Sequence, residues 1–207
     1  LDHRLNLVAQ DFREVPNINT VIKFVNWITA CERLTKYTKF TRMTFPGIKK
    51  KKIPPPSETR WLFYRDALKA LLDQKEMVEA FLNTDGNRAK FAHHISNSKH
   101  DLGVLKFVPL EFARPIVFAH FHFALYLLEI LAETNTIFQE KFGFVPHFFE
   151  YIGSLQRFFW QELLKIERGD VTRFPFLQNF ERTTLRQFTT ILKCLVLNLT
   201  VRFYDIS

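Results

Sequence analysis

Glycine is scarce in this chain, accounting for only six of its 207 residues. Neither the G-x-G-x-x-G pattern of dinucleotide-binding folds nor the G-x-x-x-x-G-K-[ST] pattern of P-loops occurs, which argues against a glycine-rich phosphate-binding loop. The G-x-S-x-G pattern of α/β-hydrolases is missing as well. The sequence therefore carries no motif of these nucleotide-binding or hydrolytic enzymes.

Cysteine is also rare. Cys31 and Cys194 form neither a C-x-x-C pair nor a disulfide framework, which favours a reducing intracellular compartment. The first residues are charged and lack the apolar run of a signal peptide. Because the chain has no initiator Met and begins inside a patterned segment, we expect it to be a fragment of a longer protein.

The alternating pattern of β-strands is nearly absent, and helical spacing takes its place. Phenylalanine is abundant, with 24 residues, and its side chain has no polar atom, so we expect a thick, Phe-rich helical core. The chain is predicted to be mainly α. Apolar residues recur at helical spacing in segments 5–12, 18–28, 68–82, 115–132, 145–167 and 185–199.

Proline, glycine and polar clusters predict where these helices begin and end. Pro16 is expected to break the first helix, and Asn17 to cap the second. Phe45-Pro46-Gly47 is predicted to end that region. A third helix is then expected to run without interruption over 57–82 and to stop at the turn cluster 83–87.

The most apolar stretch is PIVFAHFHFALYLLEILA, at residues 115–132. Its length is close to that of a membrane span. His120, His122 and Glu129 would be costly in a bilayer, and no aromatic belt with basic flanks frames the stretch. We therefore predict a buried central helix and no membrane partner.

Positive charge is concentrated near the start of the chain. Residues 1–60 contain 12 Lys and Arg against 5 Asp and Glu, whereas the remaining residues contain 17 against 16. The centre of this charge is Lys49, Lys50, Lys51 and Lys52, followed by Ile53 and three prolines. Three interpretations stay open: a solvated linker, a phosphate-contacting arm on nucleic acid, and a nuclear-import signal.

Seven histidines raise the question of a metal site. His93 and His94 are adjacent, and His120 and His122 are two residues apart, so neither pair has the i, i+4 spacing of H-E-x-x-H. No cysteine follows nearby to complete a zinc site. We predict no metal ligands and interpret these histidines as core or surface residues.

Arg60 and Trp61 follow the lysines and prolines. Arginine can pair bidentately with phosphate, and tryptophan offers a broad face on which an unpaired base can stack. A tryptophan at the start of a helix is also a common core anchor, so the pattern alone leaves both roles open.

Two motifs occur in order along the chain, His3-Arg4-Leu5-Asn6-Leu7-Val8 with Asp11 after it, and Thr59-Arg60-Trp61. The first is similar to the C-x-x-H-x-L-N-L-V segment, and the second resembles the T-R-W motif, of the hAT-superfamily transposases and of hAT-derived host proteins of the BED zinc-finger and general transcription factor II-I repeat domain-containing types. Weaker similarities follow in the family's order at residues 135–139, 174–177 and 202–205.

The resemblance implies a helical insertion-domain bundle with a flanking piece of a ribonuclease H-like core. Residues 1–44 would be the helical piece of that core, 45–60 a basic, proline-rich linker, and 61–207 the all-helical insertion domain. The family cleaves DNA and transfers strands with two aspartates and a glutamate that hold Mg²⁺. By the family pattern these carboxylates lie outside this chain, so we expect no catalytic residue and no cofactor here.

In the family, the Arg and Trp of the T-R-W motif contact and stack on a flipped base, which assigns this role to Arg60 and Trp61 by resemblance. The Ser usual two residues after this Trp is Phe63 here. The expected function is that of a domesticated or decayed DNA-binding fragment in the nucleus, whose nucleic-acid contacts are Arg60, Trp61 and Lys49 to Lys52. The alternative is a nuclear helical module that binds a protein partner or a second copy of itself.

Overall fold

The structure is a computed structural model that describes residues 16–54, 62–84, 86–96, 115–141 and 146–204. Every regular element within these ranges is a helix, which confirms the prediction of a mainly α fold. The predicted helix 5–12 lies outside the described residues. The helices are α1 (Pro16–Thr29), α2 (Cys31–Thr44), α3 (Leu62–Leu72), α4 (Lys75–Leu82), α5 (Asn87–Ser96), α6 (Pro115–Lys141), α7 (Pro146–Arg168) and α8 (Arg182–Tyr204), with a short 3-10 helix at Pro175–Leu177.

The chain divides into two compact units. The N-terminal unit is Pro16–Leu128, and the C-terminal unit includes Glu129–Ser207. Helix α6 contributes residues to both. The boundaries predicted at 44/45 and 60/61 both fall within the N-terminal unit and stay predictions about family relationship.

The start of α1 differs from the prediction. Pro16 is the first residue of the helix, and Asn17 lies inside it, so the expected Asn17 cap is wrong. Proline suits the first helical position because its fixed φ is already helical and its missing N–H is not needed there. The predicted apolar stripe is buried at Val21, Val25 and Ile28.

The end of α1 is fixed by side chains rather than by glycine or proline. Ala30 leaves the helical conformation, with φ −56° and ψ 133°. The Arg33 Nη1 donates a hydrogen bond of 3.0 Å to the Trp27 carbonyl oxygen, which the end of the helix leaves available. The Thr29 hydroxyl donates to the Val25 carbonyl at 2.6 Å. The apolar stripe was predicted to run on towards Leu34, so the break at Ala30 corrects that prediction.

The single helix predicted over 57–82 is two helices over its described part, because the chain turns at Asp73 and Gln74. The Gln74 side-chain amide donates a 2.9 Å hydrogen bond to the Ala70 carbonyl oxygen near the end of α3. One polar side chain thus satisfies a group that the interruption exposes. The predicted stop after Leu82 is confirmed, and Gly86 takes a φ of +64° in the turn that follows.

Aromatic rings form the centre of the N-terminal unit. The ring centroids of Phe24 and Phe91 are 5.1 Å apart, and those of Trp27 and Phe91 are 5.2 Å apart. Phe121 from α6 lies 5.6 Å from Phe24. These are favourable separations for aromatic pairs. Together they join α1, α5 and the first half of α6, as expected of a Phe-rich core.

The C-terminal unit is built on two antiparallel helices, α7 and α8. Gln156 contacts Thr200, and Glu167 contacts Lys193, so the two helices run in opposite directions. The core positions predicted in both helices are confirmed except at Phe148, whose side chain lies outside the described residues. The end of α7 at Arg168 is also confirmed, followed by Gly169 with a φ of +88°. The buried positions predicted from spacing are Ile152, Leu155, Phe159 and Leu163 in α7 and Leu185, Phe188, Leu192, Leu195 and Leu199 in α8.

Helix α6 contains the apolar stretch and extends nine residues beyond its predicted end at Ala132. Leu127 and Phe123 are fully buried. Over Pro115–Ile137 the helix is long and apolar enough to cross a membrane, and 61% of its most apolar window is buried within the protein. Core helices also have these properties, so the absence of a membrane partner stays a prediction.

Candidate nucleic-acid interface

The predicted lysine run begins just after α2. Gly47 takes a φ of +86°, a left-handed conformation that favours glycine, and so turns the chain away from the helix end. Lys49, Lys51 and Lys52 are exposed, while Lys50 is half-buried. No helix or strand includes this stretch, which leaves its ammonium groups spread along an irregular surface segment.

Two contacts attach this segment to the turn between α3 and α4, and a buried side chain follows them. The Ile53 side chain is buried, with 2% of its surface exposed. The Gln74 amide donates a 3.0 Å hydrogen bond to the Lys51 carbonyl oxygen, and the Lys51 Nζ lies 2.5 Å from an Asp73 carboxylate oxygen. Up to Pro54, the segment is therefore docked on the N-terminal unit. We refer to residues 49–52, held in this way, as the docked lysine segment.

The ion pair with Asp73 divides the four lysines into two kinds. Lys51 is partly neutralised by a carboxylate that also fixes its position. In the part of the chain that the structure describes, Lys49, Lys50 and Lys52 have no carboxylate within ion-pair distance. Three cations on a held backbone are thus available for an anionic partner.

The other predicted contact residues lie outside the described residues. Arg60 and Trp61 belong to the undescribed stretch between Pro54 and the first residue of α3. Their predicted contact with a phosphate and an unpaired base stays a prediction, as does the alternative of a core anchor.

A second basic feature was missed by sequence reasoning. Helix α2 carries Arg33, Lys36, Lys39 and Arg42 at intervals of three, with Glu32 as its only acidic residue. The regular spacing of these four cations is visible in the sequence and could have predicted this feature. The first two of these cations lie beside α5, which contributes Lys90, His93 and His94.

Between these helices lies an open groove of about 750 Å³, here called the α2–α5 groove. Trp27 and Phe81 also line it, and both are almost fully buried beneath the surface. Its one acidic lining residue, Glu32, lies 2.5 Å from the Lys36 ammonium, which lowers the pKa of the carboxyl. The charged or titratable residues on its wall are Glu32, Arg33, Lys36, Lys90, His93 and His94.

His94 lies in a cationic part of the groove wall. Burial lowers the pKa of His94, and the nearby charges of Arg33 on α2 and Lys23 on α1 lower it further. A cationic neighbourhood disfavours one more positive charge. The same neighbourhood favours an anion.

Helix α6 carries two histidines, of which His120 is buried and His122 is exposed. His120 is buried, its Nδ1 lies 2.8 Å from the Ile116 carbonyl oxygen, and burial lowers its pKa to about 4. His122 is also lowered in pKa, first by burial and then by Lys75. Within the described ranges, no three His, Cys, Asp or Glu residues are grouped closely enough to hold a metal ion. Cys31 is exposed and Cys194 half-buried, and neither is in a disulfide.

No family model, curated protein or solved structure matches this chain. The similarity to hAT transposases therefore rests on the motifs given above and stays a prediction.

Proposed function

We propose that this chain is a hAT transposase-like, domesticated or decayed DNA-binding fragment without a catalytic triad of its own. The observation that carries the proposal is the docked lysine segment, whose cations Lys49, Lys50 and Lys52 are held at the surface without carboxylate partners among the described residues. Lysine clusters bind DNA by displacing counterions from the phosphates.

The docking of the lysine segment supports DNA binding more strongly than its composition alone does. A lysine run on a loose linker must be ordered when it binds, which costs conformational entropy. Here the backbone is already held through Ile53 and Gln74, so less order is imposed on binding. The surrounding unit is basic too, since residues 16–128 contain 18 Lys and Arg against 9 Asp and Glu.

The finer assignment of the fold is part of the same proposal. Residues 1–44 would be a piece of a ribonuclease H-like core, and 61–207 the helical insertion bundle. In support, all described elements from Leu62 onward are helical. The resembling residues at 174–177 also form a compact 3-10 turn, in which Phe174 and Leu177 are buried.

Catalysis is not expected of this chain. The resemblance places the family's carboxylates elsewhere, and the described residues include no grouped ligands that fit Mg²⁺. We therefore propose a nuclear DNA-binding role without strand cleavage. Incubating the purified chain and a transposon-end duplex with Mg²⁺ or Mn²⁺ should yield no nicked product, and nicking that persists through repurification would overturn this part.

The test of DNA binding uses fluorescence anisotropy with two labelled DNAs, a 20-base-pair duplex and a hairpin with unpaired bases. We expect both to bind, with affinity falling steeply as salt rises. Trp61→Ala should weaken hairpin binding roughly ten-fold, since a base stacked on an aromatic ring contributes about 1–3 kcal/mol, and should leave the duplex unaffected.

Trp160 provides a matched control, because it is a half-exposed tryptophan of the C-terminal unit. Trp160→Ala should bind both DNAs like the parent chain. Absence of salt-dependent binding in the parent chain would overturn the proposal. Parent-like hairpin binding by a folded Trp61→Ala would reject the stacking role of Trp61.

A helical protein-interaction module is the second candidate, and one observation favours it. Leu197 and Val201 lie four residues apart on one face of α8, and they are 61% and 52% exposed. Sedimentation equilibrium would detect self-association through this face. Leu197→Lys combined with Val201→Lys should then yield a monomer if the module interpretation holds, whereas a parent chain that is already monomeric rejects self-association.

A further inference from the structure

We propose that the α2–α5 groove is a phosphate-binding site centred on the Arg33 guanidinium, separate from the docked lysine segment. DNA is the source of that phosphate if the proposed function holds, and the inference rests on that function for this point alone. The ability of the groove to bind phosphate does not depend on it. Neither the family resemblance nor the lysine run assigns any role to this groove.

The wall of the groove is mainly cationic. Arg33 and Lys36 come from α2, and Lys90, His93 and His94 come from α5, so two elements distant in sequence bring these side chains together. Glu32 forms a direct ion pair with Lys36, and the charges of Arg33 and Lys90 also lower the pKa of its carboxyl. Among the described residues, no carboxylate lies within ion-pair distance of Arg33.

Arg33 is held in place by an uncharged residue, Trp27. Its Nη1 donates to the Trp27 carbonyl oxygen at 3.0 Å, and its Cζ lies 5.2 Å from the centroid of the Trp27 ring. A guanidinium has five N–H donors, so several remain after this hydrogen bond. A planar, fixed guanidinium matches two phosphate oxygens better than a flexible ammonium does.

The burial of the aromatic rings and the volume of the groove determine which anion fits it. The rings of Trp27 and Phe81 are 1% and 4% exposed, so they offer no face on which a base could stack. The volume of about 750 Å³ is that of a ligand site, and its polar wall is cationic. The groove therefore suits the phosphate portion of a ligand and not a nucleobase.

Two measurements on the whole chain test the site. The first is anisotropy with the 20-base-pair duplex. Arg33→Gln should weaken binding about five-fold and reduce the slope of log K against log salt by about one, as expected for a lost phosphate contact. Lys90→Gln should act in the same direction. Arg186→Gln, an exposed arginine of α8 in the C-terminal unit, should bind like the parent chain.

The second measurement omits DNA. Inorganic pyrophosphate is titrated into ¹⁵N-labelled protein, with sodium chloride at equal ionic strength as the control. The indole N–H of Trp27 is buried and has no hydrogen-bond partner among the described residues, so it is a local reporter beneath Arg33. Trp27→Phe assigns its resonance. We expect pyrophosphate to shift this resonance in the parent chain but not in Arg33→Gln.

The outcomes separate this proposal from the proposed function. If the duplex binds but both Arg33→Gln and Lys90→Gln bind it like the parent, the groove proposal is overturned and the DNA-binding function stands. If the duplex does not bind but pyrophosphate shifts Trp27 in an Arg33-dependent way, the function falls and the groove is a site for free phosphates. A Trp27 resonance that pyrophosphate does not shift overturns the groove proposal. If Arg33→Gln lowers the thermal transition, Lys90→Gln alone decides the first measurement.

Discussion

The two units of this chain contrast in charge and in construction. Residues 16–128 contain 18 Lys and Arg against 9 Asp and Glu, whereas residues 129–207 contain 9 of each. The described helices that lie wholly within the N-terminal unit have at most 14 residues, while α7 and α8 of the C-terminal unit have 23 each. Surface charge and helix length therefore vary together along the chain.

The difference shows how each unit achieves its shape. In the N-terminal unit, polar side chains end the helices, as Arg33 does for α1 and Gln74 for α3. The resulting junctions create a groove and a docking site for the lysine segment. In the C-terminal unit, two uninterrupted helices bury a regular stripe along their length, as repeated apolar spacing favours. The N-terminal unit is thus the better candidate for binding an anionic partner.

The largest effect is expected where the two units share a helix. Leu127 of α6 is fully buried, so Leu127→Asp places an uncompensated charge in the core. The free energy of unfolding should fall by about 5 kcal/mol or more, measured by urea denaturation. Leu127→Met, which conserves volume, is the control and should cost about 1 kcal/mol. A stable Leu127→Asp would show that this part of α6 faces solvent or a partner.

The second largest effect on stability is expected from low pH, through His120 of the N-terminal unit. The folded-state pKa of His120 is about 4, below the ordinary value of 6.5, because burial disfavours the charged ring. The unfolded chain therefore binds a proton at higher pH than the folded chain does. The contribution of His120 to the free energy of unfolding is fully present above pH 6.5. As the pH falls to 4, that free energy decreases by about 3 kcal/mol.

Urea denaturation at several pH values measures this loss. His120→Gln should flatten the pH dependence between pH 6.5 and 4. The matched control is His147→Gln, at an exposed histidine of the C-terminal unit, and it should leave the dependence unchanged. An unaltered dependence in His120→Gln would show that folding does not lower the pKa of His120.

An intermediate effect is expected from the buried carboxylate of the C-terminal unit. Glu162 has a side chain only 3% exposed, and it pairs with Lys165 at 2.9 Å and Arg173 at 3.5 Å. Arg173→Ala removes one partner and also the contact of Arg173 with the Phe158 ring. The loss should be roughly 2 kcal/mol, less than for a wholly unpaired buried charge because Lys165 remains.

Arg168→Ala is the control for this ion pair, since Arg168 is an exposed cation at the end of the same helix. It should change the thermal transition by less than half the shift caused by Arg173→Ala. Equal effects of the two variants would mean that Glu162 contributes to stability without Arg173.

The smallest effect bears directly on the charge difference. Replacing Lys49, Lys50 and Lys52 with Gln removes three cations and keeps the ion pair of Lys51 with Asp73. Duplex affinity should fall roughly ten-fold near 0.1 M salt, and the salt slope should flatten by about three. Anisotropy across a salt series measures both quantities.

The control for the lysine variant removes three exposed arginines, Arg168, Arg182 and Arg186, from the electrically balanced unit. It has the same change in net charge. If it weakens binding as much as the lysine variant does, binding depends on overall charge rather than on the docked segment, and the functional contrast between the units disappears.

Much of the helical architecture was accessible from the sequence. Repeated apolar spacing predicted the buried faces of α7 and α8, and the clusters at 83–87 and 168–170 predicted where helices end. The breaks at Ala30 and Gln74 were not predicted. At these breaks, the side chains of Arg33 and Gln74 donate hydrogen bonds to backbone carbonyl groups that the helix ends leave free. The positions of glycine and proline in the sequence do not predict such hydrogen bonds.

The candidate site divides in the same way. The exposure of Lys49, Lys51 and Lys52 follows from four adjacent like charges, which keep to solvent. Their attachment to Asp73 and Gln74 connects residues more than twenty positions apart and was not accessible. The groove was missed because Trp27, Arg33 and Lys90 come together only when α5 packs near α1 and α2.

The sequence by itself determined the helical class, the periodic buried faces and the location of the net positive charge, because these depend on local spacing and composition. Only the tertiary structure decided which cations are neutralised, which are held in place and which face a common groove. The physical reason is that ion pairs, hydrogen bonds to freed carbonyl groups and concave surfaces depend on distances between segments remote in the chain. Asp73 and Lys51 show this directly: neither residue indicates its partner in the sequence, yet their contact fixes the position of the charge.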